Sequence, residues 1–183
     1  AYMKIHLWRH LMPTPLFATG MLAVILGALL SGFFYAWICS TMWGLDAMDP
    51  RQAIAAMQAM NASVRNAVFA PVFVGTAPVM ALDALLAYRT GTAILALLLG
   101  HKPAALVFGA AGLLCLFGII VLTFSINVPM NEALALVEIP QERDAADAIW
   151  VAYSQPWQVW NQTRTVAALL GLVLAVLGLR AIS

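Results

Sequence analysis

The sequence predicts an all-α membrane protein, a four-transmembrane-helix bundle with amphipathic helices in the two non-cytoplasmic loops. Three observations carry that expectation. Hydrophobic residues make up 63% of the 183-residue chain and charged residues only 9%, against about 25% charged in a typical soluble domain. Mean hydropathy is +0.91. The apolar residues also gather into four runs long enough for a bilayer, which needs about 20 residues per crossing. Net charge is +1, so no global field favours nucleic acid. Cys39 and Cys115 have no motif spacing and are expected as small buried hydrophobes rather than a disulfide. The chain reads as one four-span domain, 1–183, with a candidate internal repeat of 16–89 on 104–182.

Lys4–His10 is a short basic segment. His6 and His10 have the i, i+4 spacing of a metal pair, but no third ligand lies nearby, and anchoring at the membrane surface is the simpler reading. The run Leu16–Cys39 is 24 residues long, beyond the roughly 7–15 of a signal-peptide core, so it is expected as a retained span. Span one is set at Leu16–Ile38. Ala23, Gly27 and Ser31 recur every four residues and form a groove for another helix. The same face is extended to Tyr35, either an interfacial anchor or a pocket residue.

Asp49-Pro50 is a helix start, an N-cap acceptor followed by proline at the first helical position. The helix is expected to reach about Phe69, with Ile54, Met57, Val64 and Val68 as its apolar face. Asn61 and Arg65 fall within that stripe, and a polar pair there needs a partner. Span two is Ala70–Ala87, kinked at Pro78, with Asp83 expected at the membrane interface or, alternatively, in a proton relay. Ala93–Leu99 is too short to cross and is read as a helix end or surface segment. Span three, Ala104–Ile126, has Gly109, Gly112 and Gly118 for close packing. It is expected to end at Asn127-Val128-Pro129-Met130-Asn131, where proline breaks the ladder and the amides satisfy freed backbone groups or point into a cavity. Residues 133–155 carry five charges, Glu138, Glu142, Arg143, Asp144 and Asp147, and form a watery connection. Trp150 and Tyr153 share one face of its later, helical part. Pro156 restarts a helix leading into span four, Val166–Ile182, whose Ala167, Gly171 and Ala175 repeat at four-residue steps.

The helix from Pro156 carries the densest chemistry. Trp157, Asn161, Arg164 and Ala168 share one face. Met57-Gln58-Ala59-Met60-Asn61 echoes Trp157-Gln158-Val159-Trp160-Asn161, and a duplication would set two Asn/Arg pairs facing each other. Four spans place both ends of the chain on one side. Lys4, Arg9, Arg89, Lys102 and Arg180 lie on that side, against Arg51, Arg65, Arg143 and Arg164. The positive-inside rule therefore points to cytoplasmic termini. No histidine lies in a span, and no phosphate-binding, dinucleotide-binding or metal motif is present. Arginines, amides and aromatics remain, a set that binds an anion or a planar aromatic and stabilises an enolate or phenolate. The competing reading makes Trp157 and Trp160 interface anchors and the Asn/Arg pairs caps of broken helix ends.

Tyr35-Ala36-Trp37, Met57–Asn61 with Phe69, Asn127–Asn131, and Trp157-x-x-Trp160-Asn161-x-x-Arg164 together resemble the anthrone oxygenase-like membrane family, formerly a domain of unknown function. The resemblance runs from about residue 16 to 181. It implies a small four-span protein associated with oxidation of anthrones to anthraquinones by dioxygen, without metal or flavin. The leading expectation is an integral membrane protein of a bacterial inner membrane. It would hold a planar apolar or phenolic molecule at the end of the bundle away from the termini, with no cofactor and dioxygen as co-substrate. Arg164, Asn161 and Asn131 are the candidate catalytic residues. Asn61, Arg65, Asn127, Trp157, Trp160 and Tyr35 are candidate ligand-binding residues, with Tyr35 or Glu132 as base. Two alternatives stand beside it: a non-catalytic subunit of a larger membrane complex or homo-oligomer, joined through small-residue grooves, and a small-solute carrier suggested by Pro78 and the repeat.

Overall fold

The computed structural model describes residues 14–91 and 102–183. The expectations for Lys4–His10 and Ala93–Leu99 lie outside these residues. Helix α1 runs Pro15–Asp46, α2 Pro50–Ser63, α3 Phe69–Gly91, α4 Pro103–Ala135 and α5 Arg143–Ile182. Among the described residues four helices, α1, α3, α4 and α5, are long and apolar enough to cross a bilayer. They close into a ring in which α1 and α4 each pack against both α3 and α5. The protein is thus an all-α integral membrane bundle. Leu22, Leu29, Leu113, Phe117 and Leu170 are exposed around its outside, as lipid-facing residues are.

Small residues bring the helices together, as their spacing predicts. Ala23, Gly27, Ser31, Ala167, Gly171 and Ala175 are all buried. A Cβ on Gly112 of α4 would lie 3.5 Å from the Ala81 backbone nitrogen of α3, so those two backbones are in near-contact. Gly20 of α1 lies beside Leu179 and Ile182. The start of α1 and the end of α5 therefore share one end of the bundle. Both cysteines are free: Cys115 is buried beside Met80, but Cys39 is exposed rather than enclosed.

The other end is a helical cap. Helix α1 has 32 residues and α5 has 40. At 1.5 Å per residue that is roughly 48 and 60 Å, well beyond a hydrocarbon core of about 30 Å. The overhang of α1, α4 and α5 encloses α2, burying Met42, Ile54, Met57, Leu134 and Trp150 in a second core. Full burial of a side chain such as Ile54 or Met57 contributes about 1.5–3 kcal/mol. Polar ties lock the cap. Asp46 Oδ1 accepts from Trp150 Nε1 at 2.9 Å and Ser154 Oγ at 2.7 Å, and Gln58 Nε2 donates to the terminal carbonyls of Leu134 and Val137.

Helix starts follow the sequence and helix ends do not. Asp49 Oδ1 accepts from the Arg51 backbone N–H at 3.0 Å, the expected N-cap. Helix α2 stops at Ser63, short of Phe69, because Asn66 Oδ1 accepts from the Val68 and Phe69 N–H groups and starts α3 instead. Val68 is 84% exposed and does not extend the α2 apolar face. Pro129 does not end α4, which continues to Ala135. Two π-helical segments, Leu116–Val121 and Thr123–Asn127, precede that proline. By shifting the hydrogen-bond register they absorb its missing donor. Pro156 likewise sits inside one continuous α5, so the watery connection and span four share a helix. Asp83 is fully buried between the helices, two turns before the end of α3 at Gly91.

Candidate functional site

The cap and the bundle meet around a cavity of about 510 Å³, within the size range of small-molecule sites. Every helix contributes to its wall. Phe33, Phe34 and Trp37 come from α1, Met60 and Asn61 from α2, Phe69 and Phe73 from α3, Thr123 and Asn131 from α4, and Trp157, Asn161 and Arg164 from α5. Departures from α geometry help aim them. Trp37 opens a π-helical segment, Trp37–Thr41, and Thr123 opens another. Widened turns re-phase side chains and recur at functional sites.

Arg164 is the electrostatic centre. It is only 5% exposed, and among the described residues it has no carboxylate partner. Its Nη1 donates to Thr123 Oγ1 at 3.1 Å and its Nη2 to Asn161 Oδ1 at 3.0 Å, while Nε has no partner. Asn161 Nδ2 donates to the Phe34 carbonyl at 3.2 Å, fixing the amide so that its oxygen faces the guanidinium. The guanidinium carbon lies 4.8 Å from the Phe34 ring centre and 5.6 Å from that of Trp157. Dipoles and ring quadrupoles hold this cation in place of a counter-ion. A buried guanidinium left with spare positive charge favours an anionic or electron-rich occupant beside it.

A second polar cluster adjoins the first. Asn131 Oδ1 accepts from Tyr153 O–H at 2.8 Å and from Trp157 Nε1–H at 3.0 Å, and Asn61 Nδ2 donates to the Tyr153 oxygen at 3.3 Å. These bonds orient the Trp157 ring, which also lies 5.1 Å from Trp37. At the rim Arg65 and Glu132 meet at 3.5 Å, both side chains 60% exposed.

The structure therefore brings Asn61, Arg65, Asn131, Trp157, Asn161 and Arg164 to one cavity. Three other candidates stand apart from the lining. Asn127 is fully buried with neither amide atom partnered, Trp160 is half-buried, and Tyr35 is 55% exposed. The Tyr35 placement has a simple cause. Each four-residue step overshoots a helical turn by ~40°, so three steps from Ala23 carry Tyr35 ~120° around α1. Phe34 takes the inward position instead. The two Asn/Arg pairs are also unlike: Asn161 bonds Arg164 directly, whereas Asn61 and Arg65 turn to Tyr153 and Glu132. Sequence reasoning passed over Phe33, Phe34 and Thr123. The Phe33-Phe34 doublet was a legible sign, but Thr123 is one hydroxyl in an apolar run and gives none.

The anthrone oxygenase family model matches residues 66–174. The chain belongs to the anthrone oxygenase family. The matched region spans α3, α4 and most of α5, shorter than the expected 16–181, and it carries Thr123, Asn131, Trp157, Asn161 and Arg164. Asn61, Arg65 and the α1 wall lie outside it. No curated protein and no solved structure matches the chain significantly. Membership in the anthrone oxygenase family makes this an oxygenase-like integral membrane protein.

Proposed function

We propose that the cavity binds a flat, apolar, weakly acidic aromatic of the anthrone type and promotes its oxidation by dioxygen. One observation carries this reading: a buried guanidinium that has no carboxylate partner among the described residues faces a cavity with seven aromatic side chains in its wall. Such a wall accepts a planar hydrocarbon skeleton, and the cation stabilises negative charge that develops on a ring oxygen when a methylene proton leaves. Trp157 provides a stacking face, while Asn161 and Asn131 hold Arg164 and Trp157 in place. Glu132, the one carboxylate among the described residues of the lining, is assigned as base, with Arg65 beside it.

The atoms and electrons balance without an added reductant. Proton loss from the methylene gives a carbanion delocalised onto oxygen. Its electrons reduce dioxygen as a carbon–oxygen bond forms, giving a peroxide anion that takes up a proton. Loss of the second hydrogen with cleavage of the O–O bond then leaves a carbonyl and water. The chain's own part is to bind the aromatic, lower the acidity barrier through Arg164 and move the first proton. The expected lysine and arginine bias would set the cavity end on the non-cytoplasmic face of the membrane.

The test is oxygen consumption and quinone absorbance with anthrone and the protein in lipid nanodiscs. One dioxygen per quinone is expected, with Arg164→Met slowing turnover by about 10²–10³-fold, as loss of an oxyanion-stabilising donor does. Turnover no faster than spontaneous oxidation, or unchanged in Arg164→Met, would sink the proposal.

A further inference from the structure

The cavity has two unlike rims. On the polar side Arg65 and Glu132 face each other across the gap between the α2–α3 turn and α4. On the other side the wall consists of α3 and α4. Val74 and Phe124 line the cavity there with 53% and 58% of their surface exposed, and Val74 shares a helix face with the exposed, outward Leu85 about three turns further along α3. A side chain that touches both the interior and the outer face marks a wall one residue thick.

The backbone explains the thin wall. Around Gly112, Ala77 and Ala81, α3 and α4 are nearly in backbone contact. At the cavity edge of that contact α4 leaves regular α geometry and passes into its π-helical segments, while α3 stays α-helical with Pro78 inside the contact itself. Proline and π turns are the usual causes of helix bending. Beyond them the space is filled by rings rather than backbone. Phe73 meets Phe124 edge to face with centroids 6.1 Å apart, and Phe69 stacks on Phe73 at 5.5 Å. Aromatic side chains rotate about two bonds, so this closure opens without moving a helix.

We infer that the gap between α3 and α4 at Val74 and Phe124 is a lateral portal, with the Phe73 and Phe124 rings as its leaves. It admits a flat apolar molecule dissolved in the bilayer to the space in front of Arg164. The identity of the natural occupant rests on the proposed function, while the portal rests on the wall itself. A hydrocarbon-like molecule reaching Arg164 by this route keeps its apolar surface out of water throughout. Val74 and Phe124 then select by width: planar molecules slip between the rings and bulky ones do not.

The experiment uses the full chain in nanodiscs and a small photoreactive probe, phenyl(trifluoromethyl)diazirine, dissolved in the bilayer. Labelled residues are mapped by mass spectrometry, with lipid-facing Leu170 as the reference. Phe33 and Trp157, inside the cavity, are expected to be labelled in the unaltered protein. Val74→Trp and, separately, Phe124→Trp should lower that labelling at least fivefold relative to Leu170, and Phe124→Ala should raise it at least twofold. Glu132→Gln should leave it unchanged. An unlabelled cavity, labelling indifferent to all three portal variants, or a drop with Glu132→Gln instead would overturn the inference. The probe needs no turnover. Failure of the oxygenation assay with this pattern intact refutes the chemistry alone, and quinone formation with an unlabelled interior refutes the portal alone.

Discussion

Replacing Asn131 by leucine is expected to destabilise the protein by about 2–4 kcal/mol. Its Oδ1 accepts from Tyr153 O–H and Trp157 Nε1–H, and both donor residues are buried. Leucine nearly preserves volume but removes the acceptor, so two donors lose their partner together. Each unmade bond at a buried donor costs about 1–3 kcal/mol. The Tyr153 oxygen still accepts from Asn61, which places the total toward the lower part of the doubled range. Tyr153→Phe deletes one donor outright and should cost about 1 kcal/mol. In the double variant the tyrosine orphan no longer exists, so the combined loss should fall about 1 kcal/mol short of the sum. Equilibrium unfolding in mixed micelles, followed by tryptophan fluorescence, measures all four species. An Asn131→Leu variant within about 0.5 kcal/mol of the parent, or a strictly additive cycle, would refute the claim that these hydrogen bonds hold Trp157 in place.

Other perturbations separate tight from loose regions of the fold. A Cβ on Gly178 would lie 2.9 Å from the fully buried Phe108 ring, so Gly178→Val should cost about 1–3 kcal/mol by overpacking and lower the melting temperature. Gly44 has open space around it, and Gly44→Ala in that helical turn should instead raise the melting temperature, by the equivalent of about 0.5–1 kcal/mol. Glu132→Gln should change stability by less than about 0.5 kcal/mol, since its ion pair with Arg65 is long and exposed. The Asp49 carboxyl is pulled down to about 2, chiefly by its hydrogen bond with Arg51. Its folded value lies below the unfolded one of about 3.9, so its support of the α2 N-terminus is complete above that value and fades as pH falls toward 2. The protection of the Ala53 amide, its exchange rate relative to the intrinsic rate at each pH, should fall over that window in the parent and show no such step in Asp49→Asn.

Much of the fold was legible because its causes are local. Four apolar runs of bilayer length, proline behind an N-cap acceptor at Asp49, and small residues at four-residue steps each act through neighbours along one helix. The Trp157–Asn161–Arg164 face was legible for the same reason, and it became the centre of the cavity. Helix ends were less legible. The Asn66 cap outcompeted the apolar stripe that pointed past Ser63, and π-helical segments carried α4 through Pro129 where a break was expected. Phase error over three turns put Phe34 inward in place of Tyr35.

By itself the sequence determined the membrane class, the number of spans and the helix face that carries the buried arginine, since composition and period are properties of the chain. Only the tertiary structure decided what that arginine meets. Thr123, the Phe34 carbonyl and the Phe34 ring reach Arg164 or its Asn161 partner from other helices, and Asn131 finds Tyr153 across 22 residues of sequence. Those pairings depend on how closely small residues let the helices approach and on register shifts in their backbones, quantities that exist only once the helices pack together.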